Sequence, residues 1–66
     1  MQVNVNGDAL ELQQGATLAD LIATLELTGK RIAIEVNMDI VPRSEHPSFA
    51  LSEGDVVEVV HAIGGG

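Results

Sequence analysis

Cysteine, tryptophan and tyrosine are missing from these 66 residues, and only one phenylalanine, two prolines and three basic residues occur. Without cysteine there is no disulfide framework, no cysteine zinc module and no thiol nucleophile. The usual supports of very small folds are therefore absent, and the reducing cytoplasm is the expected compartment. Three Lys+Arg against ten Asp+Glu leave a net charge of −7. With few cations to neutralise phosphates and almost no rings to stack on bases, nucleic acid is excluded as an expected partner. No apolar run is long enough to span a membrane. The start Met-Gln-Val-Asn-Val lacks the charged and apolar regions of a signal peptide, so a soluble chain, unprocessed at its N-terminus, is expected. What the chain does have is 45% hydrophobic residues. That is enough for one small core, in a domain that hides about 60% of the surface its unfolded chain exposes.

Val3 and Val5 alternate with amides in Gln2-Val3-Asn4-Val5-Asn6, the period of a strand with one buried face. Asn6-Gly7 supplies residues that tolerate positive φ in a tight turn, and Leu10-Glu11-Leu12-Gln13 alternates again, so the chain opens with a β-hairpin. Thr17 followed by Asp20 matches a capping box, and Leu18, Leu21, Ile22 and Leu25 form an apolar stripe at helical spacing. This predicts a helix starting at Thr17 and ending near Leu27 or Thr28, with Gly29 and Lys30 as its C-terminal cap and dipole-complementing cation. Ile32, Ile34 and Val36 alternate with Ala33, Glu35 and Asn37 in a third strand. Ile40-Val41 predicts a short fourth, placed at a sheet edge because Pro42 follows. Residues 43–50 read as a loop, with one helical turn as the alternative, anchored by Phe49 and Leu51, and Ser52-Glu53-Gly54-Asp55 as a turn. Val56-Val57-Glu58-Val59-Val60, the most β-prone run, reads as an inner strand.

A hairpin, a helix and then further strands, the last one central, is the order of the β-grasp. The expected architecture is α+β: a mixed sheet of about five strands packed on one main helix, with residues 1–62 as the domain and residues 63–66 as a flexible glycine tail.

No catalytic constellation emerges. His46, between Glu45 and Pro47, reads as a solvated loop residue, and His61 as a polar cap at the edge of the core. Neither Glu45-His46 nor Glu58-x-x-His61 has the spacing of a metal site, so no metal is expected. The three closing glycines cannot pack a core, and ordering them costs more backbone entropy than any other residues. Two readings of them stand: a frayed terminus, or a tail whose missing side chains let it thread a narrow channel and deliver an α-carboxylate to another protein's active site. If Val57 and Val59 face the helix, Val56, Glu58 and Val60 lie on the open face of the sheet. That face is either a docking patch or ordinary hydrophobic scatter. The acidic balance either steers a basic partner cleft or simply keeps the chain soluble. Arg43 pairs either with a neighbouring Glu or with partner acids.

Taken together, the Asn6-Gly7 hairpin, Gly15-x-Thr17-x-x-x-Leu21, Ile40-Val41-Pro42-Arg43, Gly54-Asp55-x-Val57 and the glycine tail resemble the ThiS family. These are the small ubiquitin-like sulfur carriers of thiamine thiazole biosynthesis, and the resemblance covers essentially the whole chain. Two departures stand out. Asn37-Met38 replaces a frequent Asn-Gly, at a cost of about 1 kcal/mol if Met adopts positive φ, and the tail carries three glycines rather than two.

The resemblance implies a protein co-substrate rather than an enzyme, binding no cofactor itself. A ubiquitin-activating-type adenylyltransferase (ThiF-like) would use ATP to adenylate the carboxylate of Gly66. Sulfur from cysteine, relayed by a desulfurase, would convert it to a thiocarboxylate, and a thiazole synthase (ThiG-like) would accept that sulfur. Gly64 and Gly65 would thread the partner channel. Val56, Glu58 and Val60, with Ala62 and Ile63 where the strand runs into the tail, would dock the partner. The small subunit of molybdopterin synthase, a ubiquitin-like modifier conjugated to lysines and a plain interaction domain are the competing readings; shortness favours thiazole synthesis over the first.

Overall fold

A computed structural model describes residues 1–61 of the chain. Five strands form one sheet: β1 (Gln2–Val5), β2 (Asp8–Glu11), β3 (Ile32–Val36), β4 (Asp39–Val41) and β5 (Val56–His61), in the order β2-β1-β5-β3-β4. One helix, α1 (Leu18–Thr24), and a 3-10 helix, Arg43–Ser48, complete it. β1 and β5 pair in parallel while the other neighbours are antiparallel. The sheet is therefore mixed, with β5 at its centre and β4 at an edge, as the sequence leads one to expect.

The strands form where apolar residues recur every second position, because that period sends them all to one face. Val3, Val5, Ile34, Val36, Val41, Val57 and Val59 are buried on that face together with Leu18 and Leu21 of α1 and with Leu51. Each such side chain contributes about 1.5–3 kcal/mol relative to exposure. Asn6 and Gly7, at φ 51° and 91°, close the first hairpin with Val5 opposite Asp8. Positive φ at both central residues is the two-residue turn that matches strand twist. Asp8 thus begins β2, and the second strand starts earlier than the Leu10–Gln13 alternation suggests. Asn37 and Met38, at 52° and 73°, make the same kind of turn between β3 and β4.

The capping box is present. Thr17 Oγ1 accepts from the Asp20 amide at 3.2 Å, and Asp20 Oδ2 accepts from the Thr17 amide at 2.9 Å. Thr17 also bridges Ala50, with the Leu18 amide on the Phe49 carbonyl and the Leu51 amide on the Ala16 carbonyl, which ties the helix start to the segment before β5.

The far end of α1 corrects the expectation. The helix stops at Thr24 rather than near Leu27 or Thr28, because Glu26 turns left-handed at φ 60°. The Glu26 amide then donates to the Ala23 carbonyl and the Leu27 amide to the Ile22 carbonyl, the crossed pair that satisfies the last carbonyls of a helix. A glutamate thus occupies the position that glycine usually fills. Gly29 and Lys30 belong to the turn leading into β3, where the Lys30 amide donates to the Leu27 carbonyl.

Of the two readings of residues 43–50, the helical turn is the one present. The 3-10 helix Arg43–Ser48 buries His46 to 5% exposure, and a His46 ring nitrogen, Nε2, lies 3.0 Å from the Val41 carbonyl. His46 is thus a core residue and not a solvated one: the turn tucks its ring beneath the end of β4 and against the Val41 carbonyl. Arg43 finds no glutamate; its Nη2 donates to the Lys30 carbonyl at 3.4 Å.

Candidate functional site

The geometry that bears on function converges on β5. Alternation buries Val57 and Val59, at 0% and 9% exposure, and turns Val56 and Val60, at 49% and 56%, to the uncovered side. Glu58 lies exposed between them. The three residues expected on the open face are there. Ala62, Ile63, Gly64, Gly65 and Gly66, expected as the rest of the docking strip and as the tail, lie outside the described residues, as does the boundary placed after residue 62.

Two asparagines hold this strand. Asn37 Oδ1 accepts from the Val56 amide at 3.0 Å, its own amide donates to the Val56 carbonyl at 2.7 Å, and its Nδ2 donates to Asp55 Oδ1 at 3.1 Å. Asn6 makes the corresponding grip at the other end, with Oδ1 accepting from the Val59 amide at 2.8 Å and Nδ2 donating to the Val59 carbonyl at 3.2 Å. Both occupy the first position of a positive-φ turn, a conformation asparagine tolerates better than most residues. The turn residues that shape the hairpins thus also fix the strand from which the chain runs on to its glycines.

Register assembles the remainder of the face. Glu35 stands directly opposite Glu58, and Ala33 opposite Val60. On the outer side Ile40, 73% exposed, stands opposite Glu35. The alternation of β3 already turns Ala33 and Glu35 outward, but which residue meets which across strands depends on long-range pairing that no local pattern carries.

The described residues offer no catalytic arrangement. No group of three or more His, Asp or Glu side chains among them is placed to hold a metal ion. His46 is engaged with a backbone carbonyl, and His61 is exposed at the end of β5 opposite Ile32. No helix among the described residues is long and apolar enough to cross a membrane.

Comparison with known proteins fits this picture. The backbone superposes on the crystal structure of a thiamine biosynthesis protein (ThiS) from Geobacter metallireducens with a TM-score of 0.85 over all of both chains, at 23% sequence identity. This likeness establishes the β-grasp fold. A sulfur carrier protein ThiS from Bacillus subtilis is 36% identical over 50 residues, 76% of each chain. A thiazole synthase from Paramagnetospirillum magneticum is 33% identical over all 66 residues, although the chain spans only 20% of that protein's length. The ThiS family profile matches residues 2–66, so the chain belongs to the ThiS family.

Proposed function

We propose that this chain is the sulfur carrier of thiamine thiazole biosynthesis, its cargo held on the α-carboxylate of Gly66. Members of the ThiS family are small carriers rather than enzymes, and the full-length family match, together with a relative named as a sulfur carrier protein, is the observation that carries the reading. A carboxylate with an ordinary pKa of about 3.3–3.7 is ionised at neutral pH and is a poor acyl donor. Its oxygen attacks the α-phosphorus of ATP on an adenylyltransferase, pyrophosphate leaves, and the acyl adenylate forms. The terminal sulfur of a protein persulfide, supplied through a cysteine desulfurase, then attacks the acyl carbon and the bond to the AMP oxygen breaks; a second thiol attacks the outer sulfur of the resulting acyl disulfide, the S–S bond breaks, a disulfide between the two thiols forms, and a thiocarboxylate remains on Gly66. Sulfur is softer and more nucleophilic than the oxygen it replaces, so the charged tail can pass it to an acceptor. ATP is consumed on the partner and no cofactor is held by this chain; the cytoplasm, where ATP and reduced sulfur coexist, suits the cycle.

Thiazole synthase is the favoured acceptor. Two relatives bearing that name, from P. magneticum and Magnetococcus marinus, match the whole of this chain with 20% of their own length. A carrier-like segment inside a chain named for the acceptor supports thiazole formation over the molybdopterin alternative.

In this reading Val56, Glu58 and Val60, continuing into Ala62 and Ile63, dock the activating enzyme, and Gly64 and Gly65 pass through its channel. The test is Gly65→Val. A β-branched side chain restricts φ/ψ and widens the segment, so the variant is expected to unfold at the wild-type temperature yet fail to be adenylated, measured as ATP–pyrophosphate exchange. Wild-type exchange rates from Gly65→Val would contradict the threading step.

A further inference from the structure

The open face of the sheet carries a feature that a merely soluble surface does not require. Glu35 and Glu58 stand directly opposite each other on neighbouring strands, and like charges in that relation are destabilising. They form a hydrogen-bonded pair of the ladder. The Asn37 amide donates to the Val56 carbonyl two residues along each strand, and such pairs recur at every second position, with Cα atoms about 5.5 Å apart. No salt bridge reaches either carboxylate among the described residues. Glu35 is only partly exposed. Towards β3 and β4 the surroundings are apolar: Val56 and Val60 flank Glu58 along β5, Ala33 flanks Glu35 along β3, and Ile40 closes the row on β4, while on the other side Asn4 of β1 stands beside Val56. An uncovered hydrophobic surface with two uncompensated negative charges at its centre is complementary to a protein surface that presents one cation inside an apolar ring.

Building on the carrier reading, we infer that the activating enzyme docks on this face by placing an arginine or lysine side chain between Glu35 and Glu58, with apolar residues against Val56, Val60 and Ile40. A guanidinium, planar and with five donors, can serve both carboxylates at once. The repulsion that weakens the free carrier is relieved on docking, so the pair favours the bound state over the free one. The surface is continuous with the strand that leads to Ala62 and the glycines, so an enzyme receiving the tail meets it.

The inference predicts effects of opposite sign on stability and on recognition. Glu58→Gln and Glu35→Gln each remove one charge while keeping shape. Each is expected to raise the thermal unfolding midpoint by about 2–5 °C. Each is also expected to raise the KM for the carrier in adenylation about tenfold, the scale of a lost interfacial charge contact, leaving kcat within about twofold. An unchanged KM would overturn the inference, and so would a lowered midpoint, which would mean that the carboxylates support the fold instead of opposing it. A wild-type chain that the enzyme does not adenylate at all would remove the carrier reading itself and this inference with it. Normal wild-type adenylation with unchanged variants removes the inference alone.

Discussion

The side chain of Asn6 takes the place of a strand neighbour for Val59: its Oδ1 accepts from the Val59 amide at 2.8 Å and its Nδ2 donates to the Val59 carbonyl at 3.2 Å. The parallel pairing of β1 with β5 ends at Val5 opposite Val57, and the Asn6 side chain extends it by one further rung. An exposed turn residue thereby secures the last stretch of the strand that precedes the glycines.

Asn6→Ala is accordingly expected to cost about 1–3 kcal/mol, because it leaves two backbone groups of Val59 short of partners and puts alanine at a positive φ. Amide exchange at Val59 should quicken markedly. Asn6→Asp keeps the acceptor and should cost less. Chemical denaturation with exchange measured at the Val59 amide checks this. An Asn6→Ala variant as stable as wild type would show that the clamp contributes nothing.

Met38 holds φ 73° with its side chain 89% exposed, so its packing offers little to compensate the backbone conformation. Met38→Gly should stabilise the domain by about 0.5–1 kcal/mol, since glycine adopts this region without steric cost. For a domain of this size that shift is readable as several degrees in thermal unfolding. A midpoint at or below that of wild type would mean that Met38 makes contacts worth more than the strain.

The two histidines should behave oppositely. The Val41 carbonyl can only accept, so His46 Nε2 carries the hydrogen in their 3.0 Å contact. His46→Ala removes a buried hydrogen bond and opens space, at an expected cost of about 1–3 kcal/mol. His61→Ala, at an exposed strand end, should stay within about 0.5 kcal/mol of wild type. Equal effects from the two substitutions would contradict the burial of His46.

Much of this architecture is legible in local chemistry. The alternation of Val3 with Val5, Ile34 with Val36 and Val57 with Val59 declares three strands and their inner faces, and the Thr17–Asp20 box declares the helix start. The misreadings share a physical cause. The helix end is set by Glu26 in a conformation that favours glycine, so Gly29 was the stronger signal and the wrong one. His46 is buried by a 3-10 turn whose periodicity is too short to show. Glu35 meets Glu58 only through register between strands far apart in the chain, which alternation alone does not specify. Val56, Glu58 and Val60 were readable as open-face residues because parity suffices for that; their cross-strand company was not.

As a sulfur carrier, this compact acidic domain would present a glycine carboxylate for other proteins to load. The most direct measurement is the intact mass of the purified chain after incubation with its activating enzyme, ATP and a sulfur source. The expected gain equals one sulfur replacing one oxygen, located by fragmentation at Gly66. An unchanged mass, under conditions in which the same enzyme loads another ThiS-family carrier, would contradict it.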